Sequence, residues 1–389
     1  MGNMTCNTSI PKLNGGAIVQ YYLLNKMRYL MPKHDFYGIP KTPRLLRSDE
    51  MPYVRFFMDE ATPDYVASVM FDHNIPLMVA FHIADQIEPY INPVHAVGGR
   101  ILMHQTVHFP TDKLFDCKRL NDVDWITSPT EYGRQTLCNI AKVPQNITNV
   151  IPHGVDTDKY YRHQTAFRKN WGLEDKIVIL FTGRLSMWKG AHTIVPLFRD
   201  FTKGYNCTFI IRAQPNLDIA ESKKLDYIYT TIASRNKDVI YIPDWQSPAV
   251  MEEIFASSDI LLSPTGSEGF NMPLIEAMAC EMPVITTSLP NHLEILGRDT
   301  ALFVKPKIIT GWADKHTQLK VPSSNDLYDA LKYLVENPEE MKIMGELGRG
   351  RAVEKYDLTK IANKWIQLMT DLIPEIYSMI NEMGRRLNV

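Results

Sequence analysis

Short apolar runs recur along the chain, at 76–81, 100–104, 125–128, 149–151, 176–182, 207–211, 239–242, 260–263, 283–286 and 301–304. Each has strand length and is predominantly apolar rather than strictly alternating, which suits buried strands. Between many of them the apolar positions take helical spacing, as at 16–30, 130–140, 190–201 and 247–256. Strands alternating with helices predict βαβ units and parallel sheets. There are too many strands for one comfortable open sheet, so the pattern predicts an α/β protein of two doubly wound domains. The division is expected in "VIPHGVDTDKYYRH", 150–163, where a strand runs into a Pro/Gly/Asp segment. Helical patterns close the chain at 327–336, 338–356 and 358–372, the last carrying Trp365. No internal repeat or low-complexity stretch intervenes, which excludes solenoids and propellers.

The length of 389 residues agrees with two domains. With 45% hydrophobic and 22% charged residues, the composition is that of an ordinary globular protein rather than a disordered one. A formal net charge of −2 argues against a nucleic-acid partner, whose binding needs a basic excess to displace counterions. Cys6, Cys117, Cys138, Cys207 and Cys280 are scattered, with no C-x-x-C pair, and predict reduced thiols in a cytoplasmic protein. Asn3, Asn7, Asn146 and Asn206 open N-x-[ST] matches, read as chance without a secretory signal. The longest apolar candidate, "IPLMVAFHIA" at 75–84, falls short of the ~20 residues a membrane span needs. A soluble chain, or one that sits on a membrane surface, is expected.

Candidate chemistry concentrates in two segments of the second half. In "SEGFNMPLIEAMACEMPVI", 267–285, Pro273 suits a helix start, and Leu274, Ile275, Met278 and Ala279 supply its buried stripe. Glu268 then lies in a loop over strand ends and Glu276 in the first helical turn. Free N–H groups at the helix start, with the backbone of Gly269 and Phe270, predict an anion seat. The plainer account is that Glu276 favours the helix dipole and Glu268 is a solvated loop charge. The second segment, "FTGRLSMWKG" at 181–190, puts Arg184 and Lys189 in one strand-to-helix loop between Gly183 and Gly190. Two cations there suit a diphosphate, the guanidinium as a planar fork and the ammonium as a point charge.

These two segments resemble the retaining glycosyltransferases of family 4. The signature G-R-L-x-x-x-K-G is met at 183–190, and E-G-F-x-x-P-x-x-E-A-M-A at 268–279. "IPHGVD" from Ile151 is similar to the family's inter-domain I-P-N-G-V-D, with His153 in place of Asn. The resemblance implies the GT-B architecture: two Rossmann-like domains facing across a cleft, with C-terminal helices crossing back to the first. It divides the chain into an acceptor-side domain at 1–152, a donor domain at 153–356 and a returning helical segment at 357–389. It implies that Arg184 and Lys189 bind the donor diphosphate, that Glu276 holds the ribose and that Glu268 lies near the transferred sugar. Gly269, Phe270, Asn271 and Leu274 complete the donor-binding set. The implied reaction is hexosyl transfer with retention, without metal or cofactor, from a nucleotide-diphosphate sugar, UDP- or GDP-linked. The acceptor is a glycan or a lipid-linked or protein-linked group.

For the N-terminal half the resemblance is thinner. "LNGGAIVQYY", 13–22, is similar to the family's glycine-rich loop, in which Gly15 and Gly16 let the backbone approach the diphosphate; a plain helix-start turn explains the pair equally well. The family's strand-end histidine beside the reacting sugar falls on His104 in "RILMHQTVHFP", with His108 and His82 as competitors. Two departures stand out: Glu281 occupies the usual glycine after the second signature, and the later G-G-x-x-E reads "PNHLE", 290–294. Between 25 and 47, Lys26, Arg28, Lys33, Lys41, Arg44 and Arg47 stand against Asp35, interleaved with apolar residues. A solvated basic face accounts for this, or peripheral contact with an anionic membrane on the cytoplasmic side. Two other functions remain open on the sequence: a nucleotide-sugar epimerase of the same architecture and a non-catalytic nucleotide-sugar-binding subunit.

Overall fold

The structure, a computed structural model, describes residues 15–31, 36–38, 54–56, 62–81, 87–108, 119–309 and 319–373. The chain forms two compact units, Met1–Gly154 with Leu358–Val389, and Val155–Asp357. Both are parallel-sheet α/β units.

In the first unit, β1 (Leu77–Phe81), β2 (Arg100–His104), β3 (Trp125–Ser128) and β4 (Thr148–Val150) pair in parallel in chain order. Helices α1 (Gly15–Leu30), α2 (Pro63–Asp72), α3 (Glu88–Ala96) and α4 (Glu131–Asn139) accompany them. α4 begins where Thr130 turns out of β3, its hydroxyl accepting the Gly133 N–H at 3.0 Å. One side of this sheet buries Ile101, Met103 and Ile126 with Ile87, Ile91 and Val94. Leu102, pointing the other way, packs with Leu23 and Met27 of α1.

The second unit has six parallel strands: β5 (Ile177–Arg184), β6 (Cys207–Gln214), β7 (Val239–Ile242), β8 (Ile260–Ser263), β9 (Val284–Thr287) and β10 (Ala301–Val304). Their order is β10-β9-β8-β5-β6-β7, so the winding reverses between β5 and β8. The helices are α5 (Ala166–Asn170), α6 (Ala191–Ile194), α7 (Leu197–Gly204), α8 (Ala220–Ala233), α9 (Pro248–Ala256), α10 (Met272–Ala279), α11 (Pro290–Leu296), α12 (Ser324–Glu336) and α13 (Pro338–Arg351). Alternate residues of β5 serve opposite faces. Val178 and Leu180 pack with Leu274, Ile275 and Met278 of α10, and Ile179 and Phe181 with Phe198 of α7 and Leu331 of α12. A π-helical turn, Ala352–Tyr356, ends this unit, and α14 (Leu358–Leu372) belongs to the first, where Ile361, Trp365 and Leu368 join the α1 cluster.

The apolar runs locate every strand of the two large sheets, and the differences have local causes. The helix expected at 190–201 is two helices, α6 and α7, because Pro196 has no N–H to continue the ladder. β5 and β6 run on to Arg184 and Gln214, since their backbones remain paired beyond the last apolar side chains. Arg184 is therefore a strand-end residue and not a loop residue. Helices α2, α3, α8 and α11 are not among the helical patterns named from the sequence. The short pairs Phe36–Gly38 with Val54–Phe56 and Lys307–Ile309 with Leu319–Val321 were not expected either.

Candidate donor-sugar site in the second unit

Ligands of open α/β sheets bind outside the carboxyl ends of strands, at the point where strand order reverses. In the second unit those strands are β5 and β8. The loop after β5 carries Lys189 and the loop after β8 carries Glu268, so the fold puts both sequence motifs at the switch point.

The two loops are laced together by their backbones. Gly266 N–H donates to Trp188 O at 2.8 Å and the Trp188 indole to Ser267 O at 3.1 Å. Gly190 is left-handed, with φ +72°, and a Cβ there would run into the Pro264 carbonyl oxygen. Only glycine permits this approach. Across the seam Lys189 Nζ pairs with Glu268 Oε1, which also accepts from Thr265 Oγ1 at 3.0 Å. Glu268 is only 6% exposed, so it is not the solvated loop charge of the plainer account. A carboxylate so buried needs such a cation and donor to remain charged. Arg184 is exposed at the end of β5 and makes no side-chain hydrogen bond or ion pair among the described residues.

The second motif enters α10 through Asn271, which is left-handed with φ +77°. The helix starts at Met272, so Glu276 is its fifth residue, one residue deeper than expected and just past the first turn. The anion seat is also smaller: Pro273 has no N–H and Leu274 N–H is spent on Asn271 O at 3.0 Å. Neither position therefore offers a phosphate a backbone donor. Phe270, 3% exposed, and Leu274, fully buried, point into the core, so their side chains anchor the loop; for Leu274, expected in the donor-binding set, the placement is one of packing. Gly269 is buried in the same turn.

Sequence reasoning missed the support behind this loop. In "PNHLE", where the resemblance expected glycines, Asn291 Nδ2 donates to Glu268 O at 2.7 Å. His292 is fully buried, its Nδ1 2.9 Å from Thr286 Oγ1 and 3.2 Å from Thr287 O. Since Thr286 itself donates to Ser263 O, the proton stays on Nδ1, and Nε2 faces Asn271 Nδ2 at 3.5 Å. Burial holds His292 down at about 4, so it is neutral.

Arg212 was missed too. It lies near the end of β6, opposite Thr182 of β5 and Ile242 of β7. Two residues after Ile210, it shares the sheet face that carries α10. Burial raises Glu276 to about 7, opposed by Arg212 and by a hydrogen bond from Tyr160. Burial likewise lowers the Arg212 guanidinium, with Glu276 and Tyr160 opposing. The signal was available: a single cation inside the apolar run "CTFIIRAQ".

In the first unit His104 ends β2, as expected, but is fully buried. Its Nδ1 lies 2.7 Å from Thr127 Oγ1, and its ring packs among Phe81, His153 and Trp365 at 5.4, 5.1 and 5.2 Å. His108 is exposed beyond the strand. Gly15 and Gly16 are the first two residues of α1, so the pair belongs to the helix rather than to a loop before it. His82 and most of the basic segment 25–47 lie outside the described residues. Among the described residues Cys138, Cys207 and Cys280 are free thiols, no three potential ligands form a metal cluster, and no helix is long and apolar enough to cross a membrane.

Residues 163–351 match the family described as Glycosyl transferases group 1. YtcC of Bacillus subtilis (strain 168) is 26% identical over 311 residues, covering 74% of each chain. Among solved structures, a glycosyltransferase from Rickettsia africae ESF-5 superposes with a TM-score of 0.77 at 13% identity, over 94% of this chain and 97% of that one. Anabaena Alr3699/HepE, solved in complex with UDP, gives a TM-score of 0.72 at 14% identity, over 92% and 96%. Residues 163–351 are thus similar to the group 1 glycosyltransferases, and the chain has the fold of these solved structures.

Proposed function

We propose that the protein is a retaining, metal-independent hexosyltransferase that moves a sugar from a UDP- or GDP-sugar to a glycan, lipid-linked or protein-linked acceptor. The observation that carries this reading is the Lys189–Glu268 pair at the switch point, beside the start of α10 and Glu276. In this reading Arg184 and Lys189 neutralise the donor diphosphate. Their charge matters most as the leaving diphosphate gains charge in the transition state. The two cations, Lys189 held by Glu268 and Arg184 exposed at the end of β5, do there what a metal ion does in other transferases. Glu276 accepts hydrogen bonds from the ribose, and Glu268, with the backbone of Gly269, Phe270 and Asn271, faces the sugar. The first unit is assigned the acceptor, and His104, sealed among aromatic rings, is given no contact with the sugar. That the Anabaena protein was solved with UDP is in keeping with a uridine donor.

The test is a screen of UDP-, GDP- and ADP-sugars for release of the nucleoside diphosphate, with Lys189→Ala as control. Release from one donor that disappears in the variant supports the reading. Equal release by both proteins places the chemistry elsewhere. Binding of a donor without turnover across a panel of acceptors would favour a binding subunit instead.

A further inference from the structure

Arg212 and Glu276 are opposite charges on facing elements, β6 and α10, on the same side of the second sheet. Both are half-buried, and each shifts the other's ionisation, yet they form no ion pair. Tyr160 reaches Glu276 with a hydrogen bond; nothing reaches the buried Nε of Arg212. A half-buried guanidinium normally closes on a neighbouring carboxylate, because an unmet buried charge is costly. At the carboxyl end of β6, a bound group that satisfies both would complete the pair. That group must accept from Arg212, which only donates, and donate to Glu276, which accepts when ionised. A hydroxyl does both, and two adjacent hydroxyls do so for the planar guanidinium and the carboxylate together.

Resting on the assignment of Glu276 to the donor ribose, we propose that Arg212 is a specificity-determining residue that clamps the ribose 2′,3′-diol against Glu276. The diol donates to the carboxylate and accepts from the guanidinium. A 2′-deoxyribose lacks one of these hydroxyls and leaves Arg212 unmet. The site then selects ribonucleotides through a charged donor, a stronger source of discrimination than a neutral one. Arg212 also explains why Glu276 can ionise in so buried a place: its charge opposes the burial that raises the carboxyl.

The experiment is calorimetric titration with UDP, GDP and ADP, followed by the 2′-deoxy form of whichever binds, on wild type, Arg212→Met and Arg212→Lys. Wild type should prefer the ribonucleotide by roughly tenfold or more, the value of one hydrogen bond to a charged group. In Arg212→Met the preference should collapse to within about threefold, chiefly through weaker ribonucleotide binding. Arg212→Lys, which keeps the charge but not the fork, should fall between and guards against a folding defect in the first variant. If Arg212→Met weakens both nucleotides equally, Arg212 meets the diphosphate or the base and the clamp is overturned. If neither affinity changes, Arg212 meets no part of the ligand and the clamp is likewise overturned. If no nucleoside diphosphate binds wild type, the donor-site assignment itself fails, an outcome distinct from the other two.

Discussion

Lys189 and Glu268 form an ion pair across the topological switch of the second unit, one from the loop after β5 and the other from the loop after β8. The pair ties the cation proposed for the diphosphate to the carboxylate proposed for the sugar, so neither is positioned independently. Removing the cation strands a carboxylate that is 6% exposed and takes a fixed charge from the leaving group. Lys189→Ala should lower turnover on the order of 10²-fold or more, the usual effect of losing one preorganised charge donor. Initial rates of nucleoside diphosphate release at saturating donor measure this. Wild-type rates in the variant would detach the pair from the chemistry.

Glu276 gives the second unit a pH dependence with a definite sign. Burial lifts its carboxyl from 4.5 to about 7. Between those values the folded protein keeps a proton that the unfolded chain has released. Stability therefore falls as pH rises through that window and levels off above it. Glu276→Gln removes the titration, so its melting temperature relative to wild type should climb from pH 5 to pH 8. Parallel melting curves across that range would show that Glu276 is solvated in solution.

The glycine that the resemblance expected after α10 is Glu281, and the structure holds it left-handed at φ +57°. A side chain there costs about 1 kcal/mol relative to glycine. Gly345 of α13 sits on the Glu281 carbonyl, where a Cβ would collide, so the backbone shape is held from outside. Glu281→Gly should stabilise the chain by up to about 1 kcal/mol. Denaturant unfolding followed by tryptophan fluorescence reads the change, and a destabilised variant would mean that the carboxylate has a role of its own.

His104 is fully buried among rings of the first unit, and packing alone makes a definite prediction for its loss. Truncation to alanine removes a ring packed against Phe81, His153 and Trp365 and should cost about 2–4 kcal/mol. Nucleoside diphosphate affinity, measured below the variant's melting temperature, should not change. A lost affinity would return His104 to the donor site.

Much of this protein was legible in its sequence. Short, predominantly apolar runs of strand length, alternating with helical patterns, suit strands of parallel sheets, and ten such runs mark the strands of the two sheets. The loop positions of Lys189 and Glu268 were legible because local spacing after a strand already restricts where a side chain can go. What tertiary structure decided was partnership. Lys189 and Glu268 are 79 residues apart, and only the reversal of strand order between β5 and β8 sets their loops side by side. The burial of His104 by Trp365, the bracing of Glu268 by Asn291 and the approach of Arg212 to Glu276 are likewise long-range. Periodicity records which face of an element is apolar. It carries no record of which distant side chain will share a buried space, because that depends on how the strands are ordered in the sheet.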